Sequence, residues 1–99
     1  MKPVVFLSEA EEEMAEAARY YEQRRAGLGE LFLLRIKAAA GEVAERPMAC
    51  PAVRGQIRRK LVRQFPYALL FREDEGEIVI LAVAHGRRRP GYWIHRTTE

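Results

Sequence analysis

The chain has 99 residues, with 17 Lys and Arg against 14 Asp and Glu and a formal charge of +3. At that length it reads as one domain, 1–99, and folding buries only a little over half of its surface, which favours function on an open face over a deep private pocket. Charge is lopsided: residues 1–50 hold 7 basic and 9 acidic side chains, net −2, and residues 51–99 hold 10 and 5, net +5. The basic half suits an anionic partner, although a solvated surface has the same pattern.

Cys50 is alone, so no intrachain disulfide or multi-Cys metal site can form, and a reducing compartment fits. His85 and His95 lack spaced partners, and no metal is expected. The apolar run Val4 to Leu7 breaks at once into acidic residues, so neither a signal peptide nor a membrane span is read, and the cytoplasm is the expected location. Without a Gly-rich phosphate loop after a strand, no nucleotide, other cofactor or small-molecule substrate is expected.

Pro3 to Leu7 is short, β-branched and aromatic, the pattern of a first strand. Ser8 with Glu11 three residues on matches a capping box and opens a helix. Its first turns are acidic and its last carries Arg24 and Arg25, the order that complements the helix dipole. Met14, Ala17, Ala18 and Tyr21 form its apolar stripe. After the tight break Ala26-Gly27-Leu28-Gly29, a second helix is marked by Leu31, Phe32, Arg35, Ile36, Ala39 and Val43, and Pro47 ends it. So short a link predicts an antiparallel hairpin. Residues 47–55 read as a loop. Ile57 to Phe65, Tyr67 to Arg72 and Glu77 to Ala84 then read as a three-strand meander with a hairpin turn at Asp74-Glu75-Gly76 and a corner at Pro66. Ile78 to Ala84 is apolar on both faces, which places it inside the sheet. In the first meander strand Ile57, Leu61 and Phe65 point one way, while Arg58, Arg59, Lys60 and Arg63 occupy both faces, so part of that strand meets water.

The fold class is therefore α+β: a helical hairpin on a mostly antiparallel twisted sheet in the order β-α-α-β-β-β, with a short C-terminal segment. Within that order Arg58-Arg59, Phe65-Pro66-Tyr67, Leu70-Phe71-Arg72 and Ile78 through Arg88 resemble the RelE/ParE toxin superfamily. Tyr20-Tyr21-Glu22 with Gly27-Leu28-Gly29-Glu30 and Phe32 resembles its plasmid-stabilisation members. The resemblance covers nearly the whole chain. It implies a bacterial type II toxin whose cognate antitoxin wraps a segment over the helical hairpin and sheet. It also implies a first strand beside the last strand of the meander, and both helices on one face. RelE-like members cleave messenger RNA at the ribosome, whereas ParE-like members trap DNA gyrase on broken DNA.

For a nuclease the candidates are Arg59, Arg63, His85 and Arg87: cations to stabilise the phosphate and one imidazole suited to proton transfer near neutrality. Tyr92 and Trp93 are candidate base-stacking rings. Against this, His85 also suits a backbone hydrogen bond at the strand end, Trp93 suits a cover for the open end of the core, and Arg87, Arg88 and Arg89 suit a solvated turn. Four cations at 58, 59, 60 and 63 repel one another unless an anion or acidic partner neutralises them. His85-Gly86-Arg87-Arg88 followed by Pro90 and an aromatic is closer to the ParE-like branch, although Arg89 stands where many relatives are acidic. The expected reading is a non-enzymatic gyrase inhibitor contacting its partners through Arg58, Arg59, Lys60, Arg63, Arg87, Arg88, Tyr92 and Trp93. A ribosome-dependent endoribonuclease and a non-toxic antitoxin-binding module are the alternatives.

Overall fold

The computed structural model describes residues 1–98. Strand β1 (Val4–Phe6) leads into helix α1 (Ser8–Arg24), followed by α2 (Leu28–Glu45) and a 3-10 turn at Pro47–Ala49. Strands β2 (Ala52–Arg54), β3 (Ile57–Leu61), β4 (Tyr67–Asp74) and β5 (Glu77–His85) come next, and a second 3-10 turn at Ile94–Thr98 closes the described chain. The strand order is β1-β5-β4-β3-β2. β1 runs parallel to β5 and every other pair is antiparallel. The doubly apolar β5 thus lies inside the sheet, beside β1, as expected.

Three local expectations are corrected. The capping box does not form: α1 starts at Ser8, Leu7 is the N-cap, and no side chain caps the helix. Leu7 donates its N–H to the carbonyl of Ile80 and accepts from the N–H of Glu11, so strand pairing runs straight into the helix. The 47–55 loop contains strand β2, paired with β3 through an irregular register. The first meander strand stops at Leu61, because Gln64 takes a φ of 72° and the chain turns there. Arg35 leaves the apolar stripe of α2 to hold that turn, donating to Gln64 Oε1 at 2.5 Å. The turn also swings Phe65 to the face opposite Ile57, where its ring packs 4.9 Å from Tyr21 and 5.1 Å from Phe32.

Both helices cover one face of the sheet. Phe32, Ile36, Val43, Leu69, Phe71, Ile78 and Ile80 form the core there, with Met14, Ala18 and Tyr21 packed against it. The helices meet closely at Gly29, where any Cβ would strike the carbonyl of Ala18. Glu22 fastens the link, accepting from the N–H groups of Gly27 at 2.8 Å and Gly29 at 3.0 Å. Those two N–H groups, Gly27 first, hold its carboxyl below the usual range. The α2 start therefore takes its acceptor from α1, as helix N-termini require one.

The other face carries a second cluster of Ile57, Ala68, Leu70, Val79, Leu81, Ala82, Ala84 and Trp93. A bulge makes it possible. Leu70 pairs with Ala82 and Phe71 with Ile80, leaving Leu81 unmatched, and Leu81 and Ala82 both turn to this side. A strand apolar on both faces gives no alternation from which to read such a shift.

Candidate functional site: an arginine-rimmed groove closed by a C-terminal strap

The face away from the helices is only half covered. Residues 90–94 lie over it as a strap, and between this strap and the β2–β3 edge runs an open groove of about 580 Å³. Ala68 and Leu70 of β4 lie in its floor and Trp93 in its wall. Leu61 and Val53, 66% and 40% exposed, are its exposed large aliphatic side chains. Arg54, Arg59, Arg88 and Arg89 also line the groove, and among the described residues no Asp or Glu does. Arg54 and Arg89 were not among the partner-binding residues expected from the sequence. Their signal was weak, because Arg54 lay in a segment read as a loop and Arg89 within a charge run.

The basic cluster on residues 58–63 is divided between the two faces. Arg58 turns inward and donates to the carbonyl of Cys50 at 2.6 Å. Lys60 pairs with Glu42 of α2 at 2.5 Å, and Arg63, in the turn and 80% exposed, lies 3.9 Å from the same carboxylate. Lys60, through its hydrogen bond first and its charge second, lowers the carboxyl of Glu42 below its usual range. Glu42 thus neutralises Lys60, and Arg63 stays exposed at the edge of that pair. Arg59 lines the groove instead.

At the end of β5, His85 Nδ1 accepts from the N–H of Arg87 at 2.9 Å, and its ring meets Tyr67 edge-on at 5.0 Å. His85 lines the groove together with Arg59, whereas Arg63 and Arg87 do not. The four nuclease candidates are therefore not gathered in this groove. Both candidate stacking rings line the groove: Trp93 is 7% exposed within the second apolar cluster, and Tyr92 is partly buried, with contacts to its ring and its hydroxyl. The guanidinium carbons of Arg88 and Arg96 lie 3.9 Å and 5.2 Å from the Tyr92 ring centre, and its hydroxyl donates to Glu13 at 2.8 Å. Burial first, and then that hydrogen bond to a carboxylate, raises the Tyr92 phenol above its ordinary value.

What holds the strap was missed in the sequence. Arg96 pairs with Glu13 of α1 through two hydrogen bonds, at 3.0 and 3.1 Å, with side-chain exposures of 8% and 14%. Arg96 also donates to the carbonyl of Leu81 at 3.0 Å, and Glu13 accepts from the N–H of Val83 at 3.0 Å. β1 pairs with β5 only from Ile78 to Ile80. Beyond it, these two side chains satisfy the backbone groups of β5 that a longer β1 would have taken. Glu13 and Arg96 stand 83 residues apart, and nothing in either local sequence marks them as a pair.

The family model for the ParE toxin of the type II toxin-antitoxin system, parDE, matches residues 4–90. The chain belongs to the ParE toxin family. Among solved structures, one described as the chromosomal ParDE toxin-antitoxin system from P. aeruginosa has 16% identity and a TM-score of 0.64. The match covers 86% of this chain and 96% of that one, and it shows the shared fold. No curated protein matches the chain. In this ParE-family chain, residues 91–98, which include most of the strap, lie outside the family match. No helix among the described residues is long and apolar enough to cross a membrane.

Proposed function

We propose that this protein is the growth-inhibiting toxin of a bacterial type II module, that a cognate antitoxin neutralises it in the cytoplasm, and that it acts on DNA gyrase by binding. The observation that carries this reading is the ParE family match over residues 4–90, which takes in the β2–β3 side of the groove. The dispersal of Arg59, Arg63, His85 and Arg87 supports contact over RNA cleavage, which needs a base, an acid and a charge stabiliser around one phosphate. So does the absence of a free ring at Tyr92 and Trp93.

Inducible expression in a bacterial host, with DNA and protein synthesis pulse-labelled separately, tests the proposal. DNA synthesis should fall first, and purified protein should inhibit supercoiling by gyrase. Early collapse of protein synthesis with cut messages, reversed by His85→Ala, would instead establish the nuclease.

A further inference from the structure

The second half of the chain carries its excess charge unevenly. Lys60 and Arg63 share Glu42, Arg72 meets Asp74 at 3.1 Å, and Arg96 is locked to Glu13. The guanidinium groups of Arg54, Arg59 and Arg89 have no hydrogen-bond or ion-pair partner among the described residues, and that of Arg88 contacts only a tyrosine ring there. All four line one groove, beside the two exposed aliphatic side chains of that face. Clustered unpaired guanidiniums repel one another until an anion arrives, and exposed aliphatic side chains gain from being covered.

We infer that this groove is the docking site for a peptide segment of another protein in which aliphatic side chains alternate with carboxylates, and that the Glu13–Arg96 lock holds its strap wall in place beforehand. The inference uses the toxin reading only to assign that segment to the antitoxin; the chemistry comes from the groove. Carboxylates suit the rim, since guanidinium binds them in a bidentate fork. Aliphatic side chains suit Leu61, Val53 and Leu70. A nucleic acid would match the rim but not the floor, because single strands bind on exposed stacking rings and those lining the groove are engaged: Tyr92 by Arg88 and Glu13, Trp93 by burial, Phe65 and Tyr67 against Phe32, and His85 against Tyr67. Glu13 and Arg96 do not line the groove, so their role is positioning: they tie residues 90–94 to α1 and β5. A wall fixed in advance lowers the ordering cost of binding. Residues 91–94 of this wall fall outside the family match.

The test is a titration of the purified full-length protein with a short capped peptide of leucines interspersed with glutamates, followed by calorimetry and by the fluorescence of Trp93, the single tryptophan. Its twin with lysines for glutamates and an oligothymidine are run alongside. The acidic peptide alone should bind, and more weakly as salt rises. Arg59→Glu with Arg88→Glu should weaken it about tenfold or more and flatten the salt dependence, by analogy with paired charge reversals at protein interfaces. Leu61→Ser, at an exposed position, should weaken it about fivefold with the salt dependence unchanged. Arg25→Glu, exposed in the helix–helix link, should change nothing. Glu13→Gln with Arg96→Met should weaken binding while the salt dependence stays as in the parent, since no rim charge is altered.

No binding of the acidic peptide, tighter binding of oligothymidine, or equal losses at Arg25 and Arg59 would each overturn the inference. Unchanged binding by the Glu13/Arg96 variant would remove the positioning role, and if circular dichroism shows that variant unfolded, the rim and Leu61 variants decide the question. Growth arrest without peptide binding sinks the groove and leaves the toxin reading standing. Peptide binding without growth arrest does the reverse.

Discussion

Removing one partner of the Glu13–Arg96 pair should be among the most damaging single changes in this protein. With side-chain exposures of 14% and 8%, each charge relies on the other in place of water. Breaking a buried pair from one side costs about 3–5 kcal/mol, because the surviving charge stays buried without its counter-ion. Arg96→Met should fall at the lower end, since Glu13 keeps two donors, Tyr92 Oη at 2.8 Å and the Val83 N–H at 3.0 Å. Against a total stability of about 5–15 kcal/mol this is a large fraction. It corresponds to a melting-point drop of roughly 12–40 °C in a domain of this size. The double variant Glu13→Gln/Arg96→Met leaves no buried charge, so its loss should be smaller than the sum of the singles by about 1–3 kcal/mol. Urea unfolding followed by both Trp93 fluorescence and circular dichroism measures all four corners of the cycle. In Arg96→Met the fluorescence transition should precede the circular dichroism transition, because Trp93 sits on the strap and the helices do not. Additive single losses below about 1 kcal/mol, with coincident transitions, would refute the reasoning and reduce the pair to a surface contact.

Phe32→Ala should cost about 3–5 kcal/mol in the same assay, since Phe32 is fully buried among Tyr21, Phe65 and Tyr67. Gly29→Ala sets helix propensity, about 1 kcal/mol in favour of Ala, against a clash with the Ala18 backbone; overpacking costs about 1–3 kcal/mol, so a net loss is expected and a gain would refute the close approach. Glu22 has a lowered carboxyl, so its contribution is present above the ordinary value of 4.5 and lost as pH falls below it; Glu22→Gln should remove that part of the acid titration of stability. Tyr92 has a raised phenol, so its contribution is complete below the ordinary value of 10.0 and falls as pH climbs past it, when the unfolded chain ionises first; Tyr92→Phe should flatten the alkaline limb, and an unchanged limb would place the effect elsewhere.

Period and punctuation in the sequence determined both helices, the meander and the interior place of β5. Met14, Ala17, Ala18 and Tyr21 recur at helical spacing, and Gly27, Pro47 and Gly76 stand where the chain must break or turn. These are local properties, settled by neighbours three or four residues away. Several features were not local, and only the tertiary structure decided them. The Ser8 cap yielded to the pairing of Leu7 with Ile80, and β2 exists because β3 offers an edge to pair with. The bulge at Leu81 turns on contacts with two apolar layers that look alike in sequence. Four cations in six positions resembled a single patch, yet Glu42 draws Lys60 and Arg63 to the helices while Arg59 lines the groove with Arg54, Arg88 and Arg89. Charge counts carry no direction: which cations stay unpaired depends on which carboxylates the fold brings within reach, and Glu13 reaches Arg96 across 83 residues of sequence.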